Sequence, residues 1–384
     1  MPKIINPFSI TSTIPEPYFC DRKKETKTIC RNLTGGLNTV LISPRRMGKT
    51  GLVKHCYAQS ELREGYYTFY VDILQTSSLR EFVYVLGREI TNALASRSHK
   101  LALKFIQMIK ALGGRISIDP ITGAPFFEVS FGEIEMPEYK LDEIFQYLES
   151  ADLPCIICID EFQQITRYPE KNVEAILRSR IQHAQNSTFI FAGSERRLMT
   201  EMFALPSRPF YQSTAMLYLE PIEQSEYVGF ATECFASHGK KISEESVKAV
   251  YSIVDGTTYY MQRLLHAAFS IVPEGGECGN EELRESMEML MESYETQYRE
   301  LLGNMSDRWK EVLFAVAARR EVAKPMSSDF LKEYSLTASQ VQSALRSLKQ
   351  RELLTHSGGK WRVSDRLFAL WLSRQVSTPS PYFL

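Results

Sequence analysis

"LISPRRMGKTGLVKH", residues 41–55, is the stretch on which the fold turns. Phosphate-binding loops open on a glycine, and here Ser43 holds that place. The end of the pattern is intact, with Gly48, Lys49 and Thr50 at the required spacing. Such a loop needs backbone N–H groups converging on phosphate, a helix N-terminus behind them, a lysine for the β and γ phosphates and a hydroxyl for Mg2+. Backbone and phosphate approach most closely at Gly48, where a side chain would intrude. The first position mainly turns the chain out of a strand, which serine can do, and Pro44 restricts the backbone beside it. The competing reading is a basic surface turn, Pro44-Arg45-Arg46, ahead of an ordinary helix.

The surroundings favour the loop. "NTVLIS" (38–43) is a short branched apolar run and "GLVKHCYAQ" has helical character, so the order is strand, loop, helix. Three further strands are expected at "YYTFYVDI" (66–73), "PCIICIDE" (154–161) and "STFIFAGS" (187–194). Helical text separates them, including one long amphipathic stretch from about Ser78 to Leu112. Continuously apolar strands alternating with helices indicate a parallel sheet covered on both faces. "RISIDPITGAPFFEVSF" (115–131) reads as an inserted β-hairpin turning at Thr122-Gly123.

The third strand ends in Asp160-Glu161. A phosphate-loop ATPase places there an aspartate that orients the metal and a carboxylate that activates the attacking water. A helix N-cap is the bland account of such a pair, but its position after the G-K-T loop and at a buried strand end makes the functional one stronger. Ser194 ends the fourth strand, within reach of a γ-phosphate or the attacking water, and Arg196, Arg197 and Arg208 follow as candidates for balancing transition-state charge. Thr50 and Asp160 are the expected Mg2+ ligands and Glu161, Ser194 and Arg208 the expected catalytic set.

Composition sets wide limits. With 384 residues the chain suits two or three domains. A formal net charge of -1 gives no general attraction to nucleic acid or anionic lipid, so only a local patch could supply one. No segment approaches the roughly 20 apolar residues that cross a bilayer, and the proline-broken first twenty residues lack a signal-peptide pattern, so a cytoplasmic protein without a membrane role is expected. Seven scattered cysteines do not read as a disulfide framework. Cys155 and Cys158 form a C-x-x-C, but an extended strand points residues three apart to opposite faces, which favours a buried structural pair.

After Pro221 the text turns helical, and from Ser306 it changes again. "DRWKEVLFAVAA", "SSDFLKEY" and "TASQVQSALRSLKQREL" are helical, and "LLTHSGGKWRVS" gives two short strands around Gly-Gly. That is the order of a winged helix-turn-helix. Arg346, Lys349, Lys360 and Arg362 could contact DNA phosphates from the third helix and the wing. Docking of a protein partner is the alternative use.

These segments together resemble the archaeal-type ATPases, AAA-like nucleotide switches grouped with the STAND class. The likeness is carried by "YFCDRKKE" (18–25), "SPRRMGKT" (43–50), "CIICIDEFQQI" (155–165), "FIFAGSERRLM" (189–199), "SRPFYQS" (207–213) and "VSDRLFALWL" (363–372). It implies a P-loop α/β core, a helical lid and a winged helix, with bound ATP or ADP and Mg2+. It places Phe19 and Arg22 near the adenine. The whole expected nucleotide set is Ser43, Pro44, Arg45, Arg46, Met47, Gly48, Lys49, Thr50, Gly51, Phe19 and Arg22. The lid departs from the family: Thr258 stands where relatives often have proline in "DGTTYY", and the usual sensor arginine falls near Tyr259, with Arg263 one turn later. The expected boundaries are an extension to 16, a core over 17–220 with its hairpin near 115–131, a lid over 221–303, a winged helix over 304–376 and a tail over 377–384.

The expected function is an ATP-binding, slowly hydrolysing switch with a winged-helix output and a nucleotide-dependent oligomer within its scope. Its rivals are a DNA-handling ATPase of the initiator or transposition-helper kind and a nucleotide-binding module without turnover.

Overall fold

The structure, a computed structural model, describes residues 6–11, 14–109, 114–118, 125–129 and 136–375. The expected turn at Thr122-Gly123 and the tail over 377–384 lie outside the described residues. The chain divides into two compact units, Thr11–Glu220 and a second made of Met1–Ile10 with Pro221–Leu384.

The first unit is built on a parallel sheet of β1 (Thr39–Ile42), β2 (Tyr67–Asp72), β5 (Cys155–Asp160), β6 (Ser187–Gly193) and β7 (Ala215–Tyr218). Its order is β2-β5-β6-β1-β7. Between β2 and β5 the chain makes an antiparallel pair, β3 (Gly114–Ile118) and β4 (Pro125–Val129), where the sequence predicts a hairpin. β7 is the one sheet strand that periodicity does not reveal. It is a four-residue, half-buried strand at the sheet edge, too short to stand out from its neighbours.

The apolar strands are explained by burial from both sides. Val40, Ile42, Phe69, Val71, Ile157, Ile159 and Phe191 enter one core cluster, whereas Leu41, Ile156, Cys158, Ile190 and Ala192 enter another. Cys155 belongs to the first cluster and Cys158 to the second, as strand alternation requires, and both thiols are free.

The amphipathic stretch after Ser78 is not continuous. It forms two helices, Leu79–Arg97 and His99–Met108, divided at Ser98, whose backbone is extended. Serine tolerates such boundary conformations because it gains little from staying helical.

In the second unit four helices, Gln224–Ala236, Glu244–Ile253, Thr258–Ile271 and Asn280–Gly303, accompany the two-residue parallel pair β8 (Lys241–Ile242) and β9 (Glu277–Cys278). Phe8 is buried against Phe230, Phe235 and Phe269, and His266 Nδ1 lies 2.8 Å from the Phe8 carbonyl oxygen. The chain then forms helices Asp307–Ala318, Ser328–Glu333 and Ala338–Gln350, followed by β10 (Leu354–Ser357) and β11 (Lys360–Val363). Gly358 and Gly359 turn this hairpin at φ +57° and +73°, a region that favours glycine. The sequence reading does not anticipate the bridge from Val322 to Trp361 or the closing helix Arg366–Gln375, which contributes Phe368, Trp371 and Leu372 to the local core.

Candidate nucleotide site

Sheet order alone brings the predicted residues together. β6 lies between β1 and β5, and all three run in one direction, so Ser43, Ser194 and Asp160-Glu161 emerge at the same carboxyl edge. Ligands of open α/β sheets bind at that edge. Ile42 pairs with Gly193, and the Ser43 N–H donates to the Gly193 carbonyl at 3.1 Å. Ser43 is fully buried, and its Oγ donates to the Pro44 carbonyl at 2.9 Å, so the serine closes the turn out of β1 on itself.

Gly48 has φ +87° and caps the helix Lys49–Ala58 with no side-chain cap. The helix therefore presents backbone N–H groups, with their partial positive charge, at the end of the loop. Arg46 also has positive φ, at +70°. Arg22 is buried, holds Glu25 at 2.8 Å and reaches the Met47 carbonyl at 3.4 Å. It thereby braces the loop from outside. Phe19 stacks on His55 with ring centroids 3.7 Å apart and planes 3° from parallel. Burial lowers the His55 pKa, against the opposing pull of Glu16. A Cβ on Gly51 would meet Ile14 Cδ1 at 3.6 Å, an ordinary contact.

Lys49 lies 2.7 Å from Asp160 Oδ1 and 3.0 Å from Glu161 Oε1, in a buried cluster. Burial pulls the ammonium pKa down, but the two carboxylates together outweigh it and leave it above the usual lysine value. Glu161 starts its turn at φ +55° and donates its N–H to Asp160 Oδ1 at 2.8 Å. Its Oε2 accepts from Gln163 at 2.6 Å and from Ser194 Oγ at 2.7 Å. Burial alone would raise the Glu161 pKa; Lys49, Ser194 and Gln163 overcome it and hold the carboxyl below its ordinary value. The glutamate is ionised at neutral pH. Behind it Phe162, Phe191, Phe203 and Phe210 pack with centroids 4.6 to 5.8 Å apart, which fixes the turn that follows β5.

Three members of this cluster escape sequence reasoning. Tyr70 on β2 donates its hydroxyl to Asp160 Oδ2 and is hydrogen-bonded to Thr50 Oγ1 at 3.0 Å. Asp72 pairs in register with Asp160, and burial, with Asp160 and Glu161 adding to it, raises its pKa despite the N–H that Leu74 donates. Gln163 completes the cluster. The polar residues in "FYVD" and "DEFQQ" were the available signal, but only the β2–β5 register shows what they face.

The arginines behave differently. Arg196 lies over the Tyr218 ring and 3.7 Å from Glu220, Arg197 binds Glu201 at 2.6 Å, and Arg208 pairs with Glu174. Each is held by a glutamate outside the Lys49 cluster.

A family model described as an ATPase domain predominantly from Archaea matches residues 19–264. The chain belongs to this ATPase family. A second model, described as "Probable winged helix domain", matches residues 296–374. No curated protein matches the sequence. Among solved structures, the chain is similar to the Walker-type ATPase of Pyrococcus abyssi, with a TM-score of 0.66 and 16% identity over 95% of this chain and 99% of that one. It is also similar to the Orc2 protein of Aeropyrum pernix in its ADPNP-ADP complexes, with a TM-score of 0.61 and 14% identity over 96% of each chain. These likenesses establish a P-loop ATPase fold ending in a winged helix. No described helix is long and apolar enough to cross a membrane.

One position in this family member has a direct stability consequence. A Cβ on Gly193 would stand 2.5 Å from both Gln163 Oε1 and Met199 Sδ. Overpacking of this kind costs about 1–3 kcal/mol. Gly193→Ala is expected to lower the thermal midpoint by several degrees in a calorimetric scan, and to push Gln163 away from Glu161.

Proposed function

We propose that this chain binds ATP with Mg2+ and hydrolyses it slowly, acting as a nucleotide-state switch of the STAND type with the winged helix as its output. The observation that carries the reading is the convergence of Lys49, Thr50, Asp160, Glu161 and Ser194 at one sheet edge beside a glycine-capped helix start. Lys49 would bind the β and γ phosphates, and residues 43 to 51 would wrap them. Phe19 and Arg22 would border the base end of the site. Glu161 would accept the proton of the attacking water, with Ser194 and Gln163 aiming its carboxylate.

The donor set suits magnesium: Thr50 and Asp160 offer only oxygen, and this ion takes one or two protein oxygens with phosphates and water completing its shell. Bound there, it would neutralise charge between the β and γ phosphates. Its removal with a chelator should abolish phosphate release.

A switch needs its nucleotide-sensing lid joined to its output. The turn "DGTTYY", where the family resemblance puts the sensor, is tied to the winged helix. Asp255 pairs with Arg320 and lies 3.4 Å from Arg366, Arg366 donates to the Ile253 carbonyl at 2.8 Å, and the Tyr260 hydroxyl meets Asp365 at 2.7 Å. These bonds support transmission by a rigid lid and output rather than by two loosely linked modules.

DNA handling is the second reading, and the wing speaks against its strong form. Lys360 lies 2.6 Å and Arg362 3.1 Å from the same residue, Glu321. Lys349 lies over the Trp361 ring, whereas Arg346 is exposed on its helix. Phosphate contacts by Lys360 and Arg362 would have to displace Glu321. The full chain is therefore expected to bind duplex DNA weakly, and Glu321→Gln to steepen the salt dependence by up to about two contacts at -0.9 each. Fluorescence anisotropy across a salt series measures both slopes. A steep slope for the unmodified chain, unaltered in the variant, would favour DNA handling; no binding by either leaves a protein partner as the target of the output.

A further inference from the structure

Thr50 and Asp160 come from different elements, the loop helix and β5, yet a third side chain already joins them. Tyr70 is hydrogen-bonded to Thr50 Oγ1 at 3.0 Å and donates to Asp160 Oδ2. The other carboxylate oxygen is occupied as well, by Lys49 Nζ at 2.7 Å and the Glu161 N–H at 2.8 Å. A carboxylate offers about four lone-pair sites. Three of those on Asp160 are in use, and the phenol that takes Oδ2 is also hydrogen-bonded to Thr50.

A magnesium ion shared by Thr50 and Asp160 would need both oxygens at about 2.0–2.1 Å in a near-ideal octahedron. The Tyr70 hydroxyl, hydrogen-bonded to both, stands between them, where an ion shared by the same two oxygens would have to sit. The phenol and the ion therefore exclude one another between these two residues. We propose that the Tyr70 hydroxyl is a built-in competitor for Mg2+, holding Thr50 and Asp160 together until metal-bound nucleotide displaces it. The inference rests on the ATP and Mg2+ reading above and adds to it a determinant of metal dependence that the loop sequence does not contain.

The placement of the residue allows such a displacement. β2 is an edge strand of the sheet, paired among the described residues with β5 alone, so Tyr70 can withdraw without disturbing a second strand. Lys54, one turn along the loop helix, lies 5.8 Å from the Tyr70 ring centroid and holds the ring, rather than the hydroxyl, against that helix. The ring can keep this contact while the hydroxyl gives up its partners.

Tyr70→Phe isolates the hydroxyl and keeps the ring. ATP affinity of the full-length chain is measured by titration calorimetry in excess Mg2+ and again in EDTA, with circular dichroism confirming the fold. The variant is expected to bind ATP roughly 5- to 30-fold more tightly in Mg2+, the net value of one or two such hydrogen bonds, and to match the unmodified chain within about twofold in EDTA. Equal affinity in Mg2+, weaker affinity in Mg2+, or the same tightening in both buffers would overturn the proposal, since a merely structural tyrosine would not distinguish the buffers. Failure of the unmodified chain to bind ATP in either buffer would overturn the nucleotide reading itself. Should the variant lose its fold, Tyr70→Leu, which also lacks a donor, replaces it in the same two buffers; Mg2+-selective tightening is again expected, and its absence counts against the competitor.

Discussion

The Glu161→Gln variant is expected to release phosphate from ATP roughly 10²–10⁴-fold more slowly than the unmodified chain, the usual contribution of a general base. Its ATP affinity should stay within a few-fold. The side chains differ by one atom, and Lys49, the residue proposed to bind phosphate, keeps its 2.7 Å pairing with Asp160 when its 3.0 Å partner at position 161 is neutralised. Lys49, Ser194 and Gln163 hold the Glu161 carboxyl below its ordinary pKa, which makes it a poor base while all three remain in place. Bound ATP that drew Lys49 toward phosphate would remove the strongest of those stabilising partners and leave Glu161 more basic toward the attacking water. Single-turnover phosphate release measures the effect. A variant that loses ATP binding as fully as turnover would give Glu161 a structural role instead.

Lys49→Ala should weaken ATP binding by about 10- to 150-fold, because hydrogen bonds to charged groups are worth about 1.5–3 kcal/mol. The mutation also has a cost in the protein alone. Lys49 is the cation between Asp160 and Glu161, and its removal leaves the buried Asp160 and the partly buried Glu161 without their counter-charge. Removal of one partner from a buried pair costs about 3–5 kcal/mol. The variant should therefore melt earlier as well as bind poorly, and calorimetric titration below its melting range separates the two effects. Unchanged affinity in a folded variant would return residues 43–50 to a basic surface turn.

Much of this site is legible in the sequence because its chemistry recurs at fixed local spacing. Gly48-Lys49-Thr50 and Asp160-Glu161 are each contiguous, and each follows an apolar run that marks a strand end. Ser43 is legible too: the turn out of β1 needs a residue that can bond locally, and the serine does so through its own Oγ. What the sequence hides is register. Tyr70 and Asp72 acquire their roles from β2 lying beside β5, some 90 residues apart in sequence for the Tyr70–Asp160 contact. No local pattern encodes that neighbour. The same holds for Asp255 with Arg320 and for Glu321 with Lys360, whose partners are set by packing rather than by spacing. The break at Ser98 is a different kind of failure, since a helix pattern can continue across a residue that the backbone uses as a boundary.

The central claim is that Glu161 acts on ATP held by Lys49 at this sheet edge. Phosphate release by the full-length chain and by Glu161→Gln, measured side by side with ATP and Mg2+, tests it most directly. The account predicts slow, chelator-sensitive release by the unmodified chain and loss of at least about a hundredfold in the variant with ATP still bound. Equal release by the two proteins, or none by an unmodified chain that binds ATP, would contradict it.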